Sequence, residues 1–235
     1  MKKNLFLSTI IAILMMVVSC SKDAKTTSPV DLAQVPSAKV AYDNSNFGVY
    51  KGVFIGSSGT IIIDLSNATN SFKATVIING VTHNFITNQT ITQGQTTTIN
   101  FTEGSNSFTF TVSATGSNPT ITNLVINGHP NAAMLVIKET STVLIKCYEG
   151  TFSGNDSGTF NIVINNNTIK GIAKAVTDVN ILTLSGTVVN NQLSASGSAS
   201  SGATFTGALS GDNFSGNWVE QASGKRGTFS GVRTY

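Results

Sequence analysis

Through the second half of the chain, apolar and polar residues alternate in runs of five to nine, and each run ends in a cluster of Gly, Asn, Asp or Ser. Alternation with a period of two marks strands that bury one face. The runs are 149–153, 159–164, 169–175, 181–189, 193–199, 204–209, 214–220 and 227–233, separated by NDSG, NNN, TDVN, NN, SSG, SGD and ASGK. Gly, Asn and Asp tolerate the positive φ that tight hairpins require. No separator is long enough for a crossover helix, so the eight strands are expected to form an antiparallel meander. The first half alternates in the same way in FKATVII, TTTINFT, SFTFTVS, TITNLVI and AAMLVIK. The expected fold class is all-β: a Gly-rich antiparallel meander making one or two small barrels or sandwiches.

Two stretches nearly a hundred residues apart share a pattern. YKGVFIGSSGTIIIDL from Tyr50 aligns with YEGTFSGNDSGTFNIVI from Tyr148 if one residue is inserted in the turn. Tyr50, Gly52, Phe54, Gly56, Gly59 and Thr60 then fall on Tyr148, Gly150, Phe152, Gly154, Gly158 and Thr159. The self-similarity suggests two related β units, 47–146 and 147–235. The second unit also writes GTFSG twice, at 150–154 and 227–231. Alternate residues of a strand share a face, so both glycines and the phenylalanine of each copy point one way, Thr and Ser the other. Inward glycine leaves room for curvature and for a ring to lie over bare backbone. Phe152, Phe160, Phe205, Phe214, Trp218 and Phe229 are therefore expected inside a small barrel, with Ser153, Thr228 and Ser230 facing water. GTFSG reads as a rule of the fold rather than a repeated binding site.

The N-terminus follows a different pattern. Lys2 and Lys3 precede a mostly apolar run over 5–18, shorter than the ~20 residues a membrane-spanning helix needs, which identifies a signal-peptide core. The run ends in Val17, Val18, Ser19 and Cys20, and VVSC resembles the bacterial lipobox, in which a small residue precedes a cysteine that is lipidated and becomes the first residue after cleavage. The resemblance implies a signal peptide over 1–19, cleavage after Ser19, and Cys20 as the lipid anchor, with a diglyceride on its sulfur and a further acyl chain, such as palmitate, on its amine. Each buried methylene contributes about 0.8 kcal/mol, so two or more chains anchor a protein stably. SKDA, just beyond, is similar to the acidic export tag of Bacteroidota surface lipoproteins, with the single acid Asp23 where that tag carries a run. The implied location is the outer membrane, facing the cell surface or the periplasm. From 20 to 46 the chain is polar, contains Pro29 and Pro36 and keeps no period, as expected of a lipid anchor and flexible linker.

Composition narrows the partners. Charged residues make up 11% of the chain, against about 25% in ordinary soluble domains. Removing Lys2 and Lys3 from the 14 basic residues leaves 12 against 11 acidic ones. A nearly neutral chain without clustered Lys and Arg is not a nucleic-acid binder. Lys225, Arg226 and Arg233 are expected as solubilising charges on turns and strand edges.

Candidate chemistry is sparse. Cys147 lies in TVLIKCY, where alternation makes it a small buried hydrophobe. His83, in VTHNFIT, is expected to face outward between Val81 and Phe85, and His129 sits in the turn NGHP. Neither has a second ligand at zinc spacing. Asp156, Asp178 and Asp212 lie in turns, where their side chains cap backbone amides. Read as a calcium loop, NDSG supplies only two or three of the oxygens a hard cation wants. No nucleophile elbow, phosphate loop or dinucleotide fingerprint appears, so no enzyme activity, cofactor or metal is expected.

Two function classes follow. One is a non-catalytic lipoprotein acting through contact with a protein or glycan partner, held to the membrane through Cys20. The other is a carrier of a small apolar ligand: the Gly-rich hairpins of the second unit resemble those of lipocalin-like and transferrin-binding-protein-like lipoprotein barrels. Eight strands in fewer than ninety residues make a narrow barrel that its own phenylalanines should fill, which favours the first class.

Overall fold

The computed structural model describes residues 32–68, 70–198 and 202–235. Ser19 and Cys20 lie outside the described residues, so the expected cleavage site and lipid anchor have no structural account here. Among the described residues a 3₁₀ turn at Val40–Tyr42 precedes sixteen strands. The first eight are β1 (Gly48–Ile55), β2 (Gly59–Leu65), β3 (Phe72–Ile78), β4 (Val81–Ile86), β5 (Thr97–Glu103), β6 (Asn106–Val112), β7 (Thr120–Val125) and β8 (Ala133–Lys138). The second eight are β9 (Ile145–Gly154), β10 (Gly158–Asn165), β11 (Thr168–Ala175), β12 (Leu182–Val189), β13 (Gln192–Gly197), β14 (Ala203–Ser210), β15 (Asn213–Glu220) and β16 (Arg226–Arg233).

The protein is all-β, built from two eight-stranded antiparallel meanders. The first runs β7-β6-β5-β4-β3-β2-β1-β8 as a barrel-like sheet; the second closes fully, β9 pairing with β10 on one side and β16 on the other. All eight strands expected in the second half are present, and β9 starts four residues earlier than its alternation suggested. The connection between the sheets is 139–144, so residue 147, where the repeat placed a new unit, lies within a strand.

The repeat is reproduced in three dimensions. Tyr50 and Tyr148 are both buried, each edge-on to a phenylalanine, Phe110 and Phe214 respectively. In the closed barrel Phe160, Phe205, Phe214 and Phe229 pack against one another with ring centroids 4.8–6.0 Å apart. The glycines of GTFSG make this possible. A Cβ added at Gly231 would lie 2.4 Å from Phe214, and one at Gly227 would lie 2.6 Å from the Trp218 indole nitrogen. No side chain fits there. Ser153, Thr228 and Ser230 are exposed, so the assigned faces hold.

Three sequence expectations need correction. Arg233, expected as a solubilising charge, is buried and donates to the Tyr235 carbonyl at 2.9 Å. The flexible linker does not extend to residue 46. Ser37 donates from both its backbone N–H and its hydroxyl to Glu139, at 2.7 and 2.8 Å, and Asn46 is fully buried. His83 does not face outward: it shares a strand face with Phe85, which is fully buried, and its Nδ1 lies 2.8 Å from Glu103. The carboxylate missing at short sequence spacing comes from β5, twenty residues on, because the β4 to β5 connection returns the chain to the same rim.

Both faces of β1 are buried. One face packs into the first core. The other carries Val53 and Ile55 against Ile145, Cys147, Val163 and Ile172 of the second barrel, a continuous apolar seam. Cys147 lies in this seam as a free thiol, and burial pushes its pKa up to about 12. At the seam's edge the fully buried Lys51 ammonium donates to Glu139 at 2.6 Å and lies 4.6 Å from the Tyr235 ring centre. Glu139 also accepts from the Ile145 N–H at 3.1 Å. One carboxylate thus ties together the residues before β1, the first sheet and the first residue of β9, and its several donors offset the cost of burying its charge.

Candidate functional site

The connections of the closed barrel are unequal at its two ends. At one end β10–β11, β12–β13 and β14–β15 are joined by two residues each. Asn166, Asn190, Asn191 and Gly211 supply the positive φ there, the chemistry of tight hairpins. At the other end the connections are three, six, five and five residues long. Longer loops on a rigid barrel are where binding residues gather.

The connections 155–157, 176–181 and 221–225, with the neighbouring strand ends, line a cup of about 480 Å³, within the usual range for small-ligand sites. Its floor is apolar: Phe152, Phe205, Trp218, Ala203 and Leu182. Phe152 is half-buried and meets Trp218 edge-to-face, 5.7 Å between ring centres. The Trp218 Nε1–H donates to the Ser153 carbonyl at 3.0 Å, so the indole presents carbon surface rather than its N–H.

The rim is charged. Asp156, Asp178 and Glu220 face Lys174 and Lys225 around the mouth, with Asn180 among them. Lys225 bridges to Asp156 at 3.3 Å, linking the β9–β10 and β15–β16 connections. Lys174 donates to the Asp178 carbonyl at 2.6 Å, and Glu220 accepts from the Ser223 hydroxyl. The Asp178 carboxylate accepts from the backbone N–H of Asn180 at 2.9 Å and from its side chain at 2.8 Å. The backbone bond leads in holding its pKa below the ordinary carboxylate value. A carboxylate can accept about four hydrogen bonds and an ammonium can donate three, so the rim keeps capacity for a ligand that both donates and accepts.

Asp156 and Asp178 behave as the sequence suggested. The Asp156 carboxylate accepts from the Ser157 N–H at 2.8 Å. Beyond capping, each also stands on the cup rim. Asp212 is apart from them, at the tight-turn end, 3.3 Å from Arg233. Lys225 joins the cup, whereas Arg233 is buried beneath that opposite end and donates to the Ala33 and Tyr235 carbonyls. Lys174, Asn180 and Glu220 carried no sequence signal except their places at or beyond strand ends beside long connections. Among the described residues no group of three or more His, Cys, Asp or Glu is placed to hold a metal ion.

The first barrel has its own end of long connections, 66–71, 87–96 and 113–119, and the chain itself occupies it. Asn46 donates to the Thr92 carbonyl at 2.9 Å and to the Thr97 hydroxyl at 2.7 Å, and accepts from the Gly94 N–H at 2.8 Å. Asn67 accepts from the Lys39 N–H and donates to the Ser37 carbonyl, 2.9 Å in both cases. Lys138 donates to the Ser45 and Phe47 carbonyls, and burial pulls its pKa down to about 8.

No family model and no curated protein matches the chain. Among solved structures, one described as a surface lipoprotein aligns over 79% of this chain and 98% of its own, with 10% identity and a TM-score of 0.29. A likeness that loose carries no argument about fold or function.

Proposed function

We propose that the protein is a lipid-anchored outer-membrane protein that acts by non-catalytic binding, through contact with a protein or glycan partner. The observation that carries this reading is the filling of both barrels by their own side chains. In the second barrel stacked phenylalanines occupy the axis; in the first, Tyr50, Phe54, Phe85, Phe101, Phe108 and Phe110 are buried together. Below the cup the rings close the second barrel, so an apolar guest of the lipocalin kind has no through-going interior to enter and contact falls to the loops and outer faces. The anchor rests on the lipobox residues ending in Cys20. The carrier reading has the cup in its favour, since the cup opens onto aromatic rings. Against it stand five charged side chains that an apolar ligand would desolvate without compensation.

Membrane fractionation of Cys20→Ala tests the anchor: the variant is expected in the soluble fraction with an unchanged melting temperature, and membrane retention would defeat the lipoprotein reading. Native mass spectrometry of the full chain, purified gently from its own host, tests the mode of binding. A retained apolar small molecule would replace the contact reading with the carrier reading.

A further inference from the structure

We infer that the cup at the long-loop end of the closed barrel binds a single ring or short end of a neutral sugar, an inference that rests on the glycan branch of the proposed function and gives it a site. The ligand class follows from what the cup opposes to what. Its floor is carbon: the rings of Phe152, Trp218 and Phe205, with the Trp218 N–H already committed to Ser153. Its rim mixes acceptors and donors, three carboxylates with two ammonium groups and the Asn180 amide. A sugar ring has the complementary construction, an apolar C–H face bordered by hydroxyls that each donate and accept.

Charge decides against the alternatives. An anionic ligand would meet Asp156, Asp178 and Glu220, and a cationic one would meet Lys174 and Lys225. A wholly apolar ligand would strip water from all five. A neutral, hydroxyl-rich ligand satisfies both signs at once, hydroxyl hydrogens going to the carboxylates and hydroxyl oxygens receiving the ammonium hydrogens, and its apolar ring face matches the aromatic floor as a small zwitterion would not. The Asp156–Lys225 bridge holds one pair of such groups together across two loops, so part of the rim is ordered before a ligand arrives, which lowers the entropic cost of binding.

Trp218 is the only tryptophan in the chain, so its emission reports on this cup. The test titrates methyl glucoside, methyl galactoside, N-acetylglucosamine and lactose into the full chain, held in a detergent without a sugar head group. Trp218 fluorescence and calorimetry are followed in parallel, with sialic acid, glucosamine and dodecanoate as charged and apolar comparisons. A neutral sugar is expected to shift the emission. Asp156→Ala combined with Glu220→Ala should weaken that binding about tenfold, the loss of a charged hydrogen bond. Phe152→Leu, which keeps the apolar packing and removes the ring face, should weaken it separately with the melting temperature retained. Calorimetric binding of a sugar that leaves the emission and both variants unaffected would overturn the cup as the site while leaving glycan contact standing. No binding by any neutral sugar would overturn the inference, as would tighter binding of sialic acid or glucosamine. Dodecanoate binding with a Trp218 shift would overturn both the inference and the contact reading.

Discussion

The two barrels share a strand path, a Tyr-Gly-aromatic opening and a phenylalanine core, yet they finish their mouths in opposite ways. In the first, residues 37–47 lie over the long-loop end, with Asn46 bonding to three positions between 92 and 97. In the second, the chain enters β9 directly from the short connection 139–144. That connection meets β9 at the tight-turn end, where Ile145 pairs with Asn165, whereas the cup lies at the end where β9 leaves. They differ in closure as well: β16 completes the second barrel through seven residue pairs with β9, from Gly227 with Gly154 to Arg233 with Tyr148. In the first, β7 and β8 form no ladder with each other, and β4 meets β5 through the single pair Ile86 with Thr102. Asn123, at φ 51°, sits where the pairing of β7 with β6 shifts register. The comparison teaches that one meander can place its long connections at the end its first strand enters, where the incoming chain bonds across them, or at the end that strand leaves, where a cup forms.

The sharpest way to break the comparison is to hollow each core. Phe160→Ala should cost about 3–5 kcal/mol, read by chemical denaturation, and Phe85→Ala should fall at the low end of that range because its sheet is weakly paired at β4–β5 and can relax around the gap. Equal losses would show that closure does not stiffen the second barrel. Next comes coupling. Glu139→Ala leaves Lys51 buried without its partner and should cost about 3 kcal/mol; calorimetry is expected to split one cooperative transition into two, and a single unsplit transition would show that the apolar seam alone couples the barrels. Smaller is Gly216→Ala, whose new methyl would sit 2.7 Å from Phe229 and closer still to the Thr206 carbonyl. Overpacking of this kind costs about 1–3 kcal/mol, and a neutral substitution would show that the barrel can yield.

The last effect vanishes at neutral pH and shows only in alkali. The Cys147 thiol is raised from 9.0 to about 12 by burial. Between those values the unfolded chain releases the proton and the folded chain keeps it, so stability should fall as pH rises from about 9 to 12. Cys147→Ala should flatten that slope, and a thiol reagent should find Cys147 only after unfolding. Reaction with the native protein at pH 8 would mean the seam opens.

The strands were legible because period-two alternation and Gly-Asn punctuation are local properties. The direction of GTFSG was legible too, since two glycines and a phenylalanine on one face leave few other readings. Lys51 was not: its partner is 88 residues away, and a lysine inside YKGVF carries no sign that both faces of its strand are covered. His83 lies with Phe85 rather than outward because residues two apart on β4 share a face, and its partner Glu103 is twenty residues on. The cup was half visible. Asp156 and Asp178 showed as turn caps, which they are, but their convergence with Lys174, Glu220 and Lys225 exists only once the sheet has curled through a full circle.

That circle also governs how the second barrel is made. Its last ladder joins Gly150 to Gly231, so the chain must lay down eight strands through seven hairpins before the first and last can meet. Contacts so far apart in sequence slow folding, because loop-closure entropy is spent before they form. Once formed, the ring has no end strand to peel, and opening must break two ladders together. The barrel that carries the cup should therefore be the slow step in both directions, late to assemble and reluctant to come apart.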